Sequence, residues 1–497
     1  MRNVHAAPAL TKIVATIGPA SEQLPMLTQV VDAGLRIMRI NFSHATYEEA
    51  DLRATNIKLC QGLSMQYRGL ATNMRAVMLD TQGPEIRTGS FAGGVKEVQL
   101  KTGDKITLTT SAEYQNKQDS SLIWISYDRI HENVKKGTTV LIDDGAIAVE
   151  VESVDAAQKK ISGRVANSGS LGNKKGVNLP GTKVLLPAIS DKDKEDLRWG
   201  VKNDVDFIAA SFIRKAQDIH DIRNFLTPLM QGKPLPKIIS KIESTEALEN
   251  FDSILEASDA IMVARGDLGV EIPLEQLAGA QKRIVRSCNV AGKPVIVATQ
   301  MLESMQKNPR PTRAECTDVA NAVFDGADCV MLSGESAKGK YPVASVAMMN
   351  KICLEAEKDL GEFDSSSAAH GDGSALDATA SAIAEASHSA EDLACIIVLC
   401  EGIEVPAAIS KFRPAVPIVA FVPNAKTGRF LQLYRGVHPA QATSDMFDAD
   451  ADPLAIAVEH AMLLRFVEPG QKVLLVSPLA GNKTVGPSLS FKICDAL

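Results

Sequence analysis

The sequence predicts an α/β protein. An eight-stranded (β/α)8 barrel carries an inserted all-β domain after its third strand and is followed by a C-terminal open α/β domain. Three observations carry this reading. Eight short apolar runs recur between residues 12 and 335, each followed by a helix-like stretch. The rhythm breaks once, between residues 82 and 205. It ends at a Ser/Gly/Ala-rich stretch after residue 361, beyond which new apolar runs begin.

The runs are "KIVATIG" from Lys12, "RIMRINF" from Arg36, "AVMLDT" from Ala76, "DFIAASF" from Asp206, "KIISKIE" from Lys237, "AIMVARG" from Ala260, "PVIVATQ" from Pro294 and "CVMLSGE" from Cys329. Runs this apolar suit strands covered on both faces, as in a parallel sheet. Segments such as "SEQLPMLTQVVDAG" and "LEQLAGAQKRIVRSCNVAG" supply amphipathic helices closed by glycine. Eight such units suggest a TIM barrel. The long break is rich in Val, Thr, Ile and Gly, with turn signals "KKGTT" and "DDGA", and reads as a separate β domain. Beyond the linker, "ACIIVLCE", "VPIVAFVP" and "KVLLVSP" alternate with helical patterns. The expected division is 1–84 barrel, 85–183 inserted domain, 184–360 barrel, and 361–497 linker and C-terminal domain.

A chain of 497 residues is too long for one core. Its 45% hydrophobic and 23% charged content is that of an ordinary globular protein. A net charge of −7 gives no reason to expect nucleic acid, and it obliges an anionic substrate to find local cations. Eight cysteines without a C-x-x-C pair read as reduced thiols, which together with the lack of a signal-like or membrane-spanning run points to the cytoplasm. "GESAKGK" from Gly334 begins like a phosphate-binding loop but continues with Tyr341 and Pro342, so it is not read as one.

In barrels of this type, chemistry sits where the strands end. Polar residues collect there: Arg39, Asn41 and Ser43; Asp80 and Thr81; Lys241 and Glu243; Arg265 and Asp267; Thr299; Ser333 and Glu335. Lys241 and Glu243 alternate on one strand and face the same way. Glu243 and Asp267 offer two carboxylates to a hard divalent cation, Mg2+ above all. The structural alternative pairs those carboxylates with Lys241 and Arg265. Lys241 supplies a point charge for a phosphoryl group or a developing enolate. Thr299 is a neutral group able to pass a proton, through water. Arg39 suits phosphate. Asn41, Ser43, Asp80 and Thr81 form a mixed oxygen set for a second cation, whose identity the residues leave open.

At this point "ATIGPAS", "RINFSHAT", "LDTQGPEIRTG", "KKGVNLPG", "SKIES", "ARGDLGVEIP", "ATQMLESM", "PRPTRAE" and "DVANAVFDGADCVMLSGE" together resemble the pyruvate kinase family over residues 11–357, with "LQLYRGVHP" a weaker echo in the last domain. The resemblance implies phosphoryl transfer from phosphoenolpyruvate to ADP, giving pyruvate and ATP. It implies that Lys241 steadies the phosphoryl group, that Glu243 and Asp267 ligate Mg2+ or Mn2+, and that Gly266, Asp267 and Thr299 hold the pyruvate end. It further implies that Asn41, Ser43, Asp80 and Thr81 ligate K+, that Arg39 contacts phosphate, and that Asn41, His44, Arg87 and Lys175 serve the nucleotide. The inserted domain would act as a lid and the assembly would be a homotetramer.

Two departures from the family pattern stand out. Gln82 occupies a position that is usually Lys in K+-dependent members, while Glu85 keeps the residue that goes with K+ dependence; K+ activation is the expectation. The loop "CEGIEVPAA" lacks the hydroxyls of members activated by a sugar bisphosphate, and its Glu401 and Glu404 would repel phosphate. Fructose 1,6-bisphosphate is therefore not expected to bind this loop; a tight isotherm unchanged by Glu404→Ala would contradict the repulsion. A metal-dependent aldolase working through a pyruvate enolate is the rival enzyme reading, and it leaves the inserted domain and Lys175 without purpose. A metabolite sensor that kept the fold is the non-enzymatic reading, and it predicts lost catalytic groups where none is missing.

Overall fold

The computed structural model describes residues 9–60, 74–360, 373–443, 446, 452–478 and 489–496. Eight strands close into a barrel: Lys12–Thr16, Leu35–Asn41, Ala76–Asp80, Phe207–Ala210, Lys237–Ile242, Ala260–Ala264, Val295–Ala298 and Cys329–Leu332. Each pairs in parallel with the next, and the eighth with the first. All eight coincide with the apolar runs in the sequence. Both faces are covered, which is why the strands do not alternate polar and apolar residues. Val14, Ile37, Met78, Phe207, Ile239, Met262, Ile296 and Met331 fill the interior. Outward residues such as Ile13, Leu35, Ile238 and Val263 pack in the surrounding core. The helix Leu277–Ala291 ends at Gly292, whose φ of 67° supplies the left-handed cap.

The stretch after the third strand builds its own sheet and core. Six strands run in the order Val177–Asn178, Thr139–Ile142, Ile147–Asp155, Lys160–Val165, Lys105–Thr109 and Leu122–Trp124. A two-stranded ribbon joins Glu97–Leu100 to Gly169–Gly172. Asn178 Nδ2 donates to Glu271 Oε1 of the barrel at 3.0 Å, and Arg214 donates to the carbonyls of Val184 and Leu186.

The third sheet has five strands, in the order Val437–Gln441, Ile418–Val422, Leu393–Leu399, Lys472–Pro478 and Leu489–Asp495, only the last antiparallel. Cys494 of the terminal "CDAL" lies in this sheet opposite Val473. Most of the Ser/Gly/Ala-rich stretch lies outside the described residues. This unit closes the barrel floor. Phe430 and Leu433 join the interior cluster. Asp206, fully buried, takes Arg429 and Lys426 at 2.9 Å each. Arg413 pairs with Asp328 at 2.7 Å. With the floor plugged, the open end is the one where the strands finish.

Candidate active site

Register decides which side chains meet at that end. Asn41 pairs with Asp80, and Asp80 with Ala209. Ala210 pairs with Ser240, so the residue after Ala210 stands beside Lys241. The second to fifth strands therefore deliver Arg39, Asn41, Asp80, Ser211 and Lys241 to one patch.

Lys241 lies at its centre. Its Nζ is 3.2 Å from Asp80 Oδ1, 2.9 Å from Glu243 Oε1 and 2.7 Å from Ser211 Oγ. Burial alone would lower its pKa, but Asp80, Glu243 and Asp267 outweigh that and hold the ammonium above its ordinary range. Arg39 Nε donates to Asp80 Oδ2 at 2.6 Å and Nη1 to Thr16 Oγ1 at 2.8 Å. Burial raises the Asp80 carboxyl, yet Arg39 and Lys241 together bring it below the usual carboxylate range.

Glu243 and Asp267 behave in the opposite way. Burial pushes Glu243 up, Lys241 pulls it down, and the neighbouring Asp267 pushes it up again. Asp267 is also raised by burial, with Asp144 and Glu85 of the inserted unit adding repulsion. Three carboxylates, Asp80, Glu243 and Asp267, converge on two cations, Lys241 and Arg39. Glu243 Oε2 accepts the Phe212 N–H at 2.6 Å. Glu243 Oε1 is buried without a directed hydrogen bond, although Lys241 is within ion-pair range. Charge surplus and an open carboxylate oxygen fit a divalent cation, whose remaining positions are filled by water and substrate. Among the described residues, no group of three or more His, Cys, Asp or Glu side chains surrounds one point.

Arg265 departs from the pairing considered from sequence. It turns away from Glu243 and Asp267 and binds Asp318 at 2.6 and 2.7 Å. Gly266 N–H is not free either; it donates to Thr299 Oγ1 at 2.7 Å, while that hydroxyl donates to Ala298 O at 2.6 Å.

The oxygens proposed for a second cation lie at the ends of the second and third strands. Asn41 Oδ1 accepts the Ser43 N–H at 3.1 Å, and Thr81 O accepts Ser211 Oγ at 2.7 Å. Only Asp80 in this set is charged, and Arg39 and Lys241 already neutralise much of it. Such a set fits a weakly hydrated monovalent ion better than a second divalent one.

Between barrel mouth and inserted unit is a cleft of about 380 Å³ lined by His44, Arg87, Asp143, Lys175 and Asp267, among others. His44, Arg87 and Lys175, far apart in sequence, thus share one wall with the metal-site aspartate. The two cations are not open to a ligand here: Arg87 Nε pairs with Glu85 Oε2 at 2.5 Å, and Lys175 Nζ with Asp143 Oδ1 at 3.0 Å. Both pairs are partly exposed, so each is worth at most about 1 kcal/mol and is readily displaced by a polyphosphate. Burial, with Arg39 and Arg87 adding to it, lowers the His44 pKa. "GESAKGK" forms only the one-turn helix Gly334–Ala337, and Glu335 Oε1 and Oε2 accept the N–H groups of Leu302 and Ser333.

Sequence reading missed Ser211 and Phe212. Ser211 Oγ links Lys241 to the Thr81 carbonyl, and Phe212, at a φ of 56°, aims its amide at Glu243. A polar residue ending the fourth strand was the available signal for Ser211; the Phe212 role is a backbone role and left none.

A barrel of this kind, with a buried lysine among three carboxylates at its mouth and a cation-bearing cleft above, defines an enzyme that handles phosphorylated anions. The family profile described as pyruvate kinase, barrel domain, matches residues 9–346, and that of the pyruvate kinase alpha/beta domain matches residues 377–485. The chain is 41% identical over 482 residues to the pyruvate kinase of Agaricus bisporus, covering 95% of this chain and 88% of that one. It is 43% identical over 486 residues to that of Hypocrea jecorina, with the same coverage. Against the enzyme of Geobacillus stearothermophilus it is 41% identical over 486 residues, 96% of this chain and 79% of that one. The chain belongs to the pyruvate kinase family. The family's reaction, a step of glycolysis, is phosphoryl transfer between phosphoenolpyruvate and ADP, and the chain is a phosphotransferase of that kind.

Proposed function

We propose that this mouth is where the chain transfers the phosphoryl group, with Lys241 facing the transferring group and Glu243 and Asp267 holding Mg2+ or Mn2+. The observation that carries the proposal is the surplus of buried carboxylate around one ammonium. A divalent ion on Glu243 and Asp267 would supply charge neutralisation at phosphoryl and enolate oxygens. The chain's own groups do the rest. Lys241 offers charge to the phosphoryl oxygens in a water-poor pocket, where it counts for more than at a surface. Arg39 adds a second cation from the opposite side of Asp80. The Gly266–Asp267 backbone and Thr299 receive the carboxylate end, and Thr299 lies on the route by which the enolate carbon gains its proton. Asn41, Ser43, Asp80 and Thr81 hold K+. Asn41, His44, Arg87 and Lys175 serve the nucleotide.

The same proposal takes residues 85–183 as a lid over a barrel formed by 1–84 and 184–360, with 361–497 as a separate C-terminal unit. Charge repulsion across the cleft, from Asp144 and Glu85 toward Asp267, favours closure only when cations are present. The lid's two nucleotide cations, Arg87 and Lys175, then exchange their carboxylate partners for phosphates. A homotetramer and a cytoplasmic setting complete the reading. Among the described residues no helix is long and apolar enough to cross a membrane, and the relatives from Glycine max and Nicotiana tabacum are named cytosolic isozymes.

A coupled assay tests the proposal. Pyruvate should form only when phosphoenolpyruvate, ADP and Mg2+ are all present, and Glu243→Gln should abolish measurable turnover. Undiminished turnover in Glu243→Gln would remove that carboxylate from the mechanism; pyruvate release from an aldol substrate without ADP would favour an aldolase.

A further inference from the structure

Arg265 divides its guanidinium between the Asp318 carboxylate and the backbone after the seventh strand. Nη1 and Nη2 form a fork with Asp318 Oδ1 and Oδ2 at 2.6 and 2.7 Å. Nε reaches the Ala298 and Thr299 carbonyls, both at 3.2 Å, and Nη2 also donates to Thr299 O at 2.7 Å. Gln281 Oε1 accepts from Nη1 at 3.4 Å, and its amide is tied to Asp325 at 3.0 Å. The residue gripped this way is in an uncommon conformation. Thr299 has a φ of 71° and Gln300 one of 54°. A β-branched residue holds such a turn only where its surroundings over-determine it. Thr299 Oγ1 meanwhile accepts from the amide of Gly266, the residue next to Arg265. Arg265 therefore fixes Thr299 from two sides, through its side chain and through the backbone that follows it.

We propose that Arg265 is a positioning residue for the protonation half of the reaction: braced by Asp318, it holds the Thr299 peptide in its left-handed turn so that the hydroxyl faces the enolate carbon. This rests on the reading of Thr299 as part of the proton route. In that step C3 of the enolate accepts a proton from a water held on the hydroxyl oxygen, whose own proton is given to Ala298 O. A C–H bond forms, the C2 oxyanion becomes a carbonyl, and solvent replaces the proton. The Arg265 side chain bonds Asp318, Gln281 and the carbonyls of Ala298 and Thr299, so its loss should separate the two halves.

The test uses Arg265→Lys, which keeps the charge and loses the fork, together with Asp318→Asn and Thr299→Val, each as holoenzyme with Mg2+ and K+. Two rates are read: exchange of the pyruvate methyl hydrogens with deuterated water by NMR, and the ATP burst on mixing with phosphoenolpyruvate and ADP. Arg265→Lys and Asp318→Asn should each slow exchange about tenfold, the equivalent of 1.4 kcal/mol, and leave the burst within about twofold. Thr299→Val should slow exchange at least as much, and adding Arg265→Lys to it should slow exchange little further. Exchange at the normal rate in both Arg265→Lys and Asp318→Asn, with Thr299→Val slow, would overturn the inference alone. Normal exchange in Thr299→Val would overturn the reading of Thr299 and the inference with it. Equal losses of exchange and burst would make Arg265 a general support and also overturn it. Asp318 is a third exposed, so its variant reports even where the arginine variant does not fold.

Discussion

Lys241 Nζ stands 2.9 Å from Glu243 Oε1, yet that oxygen makes no directed hydrogen bond. The three protons of the ammonium are shared among Asp80, Ser211 and Glu243. An acid left in this state competes for protons as well as for metal.

That competition gives a pH dependence with a definite sign. Burial beside Asp267 pushes Glu243 up to about 7 in the ion-free protein. Below that value the site holds a proton that a divalent ion must displace; above it the carboxylate is already charged. Mn2+ affinity, followed by electron spin resonance, should therefore fall as pH drops below 7, by up to about tenfold per unit. The folded, ion-free protein also binds this proton where the unfolded chain does not, between the ordinary carboxylate value and 7. Its stability relative to Glu243→Gln should accordingly improve on acidification through that window. An affinity that is flat from pH 8 to 6 would show that Glu243 is not the ligand that titrates.

Ser211 should matter to catalysis although it is an unremarkable serine in sequence. Its hydroxyl is held by the Thr81 carbonyl and receives the Lys241 ammonium. A hydrogen bond to a charged group is worth about 1.5–3 kcal/mol. Ser211→Ala should lower kcat by roughly 10- to 100-fold, with Mn2+ binding unchanged. Steady-state kinetics with phosphoenolpyruvate varied would check this; a normal kcat would mean that Asp80 and Glu243 suffice to place Lys241.

The monovalent ion should matter as well. Asn41, Ser43, Asp80 and Thr81 present mainly neutral oxygens, and Glu85, beside Arg87, leaves no lysine to replace an ion's charge. Replacing K+ by tetramethylammonium should lower turnover at least about tenfold. Equal rates in the two salts would contradict the K+ assignment and make Gln82 the more informative departure.

Much of this was legible in the chain because buried parallel strands announce themselves. The eight barrel runs stood out since neither face meets water. The edge strand Val437–Gln441 did not, because His438, Pro439 and Gln441 break its apolar pattern; an edge position tolerates Pro439. At the other edge, Leu489–Asp495 does alternate apolar and polar residues, a strand signal that the sequence reading passed over, although Phe491 and Ile493 are exposed. Lys241, Glu243 and Asp267 could be picked out as polar residues ending apolar strands. Arg265 could be found but not its partner, since Asp318 lies 53 residues further on and on a helix. Phe212 acts through its amide, and φ angles are not written in a side chain.

The most direct measurement is a single-turnover experiment on Lys241→Met with phosphoenolpyruvate, ADP and Mg2+, paired with Mn2+ titration of the same variant. The account predicts that metal still binds, because Glu243 and Asp267 remain, while ATP formation slows by about three orders of magnitude or more. Transfer at close to the normal rate in Lys241→Met would contradict it.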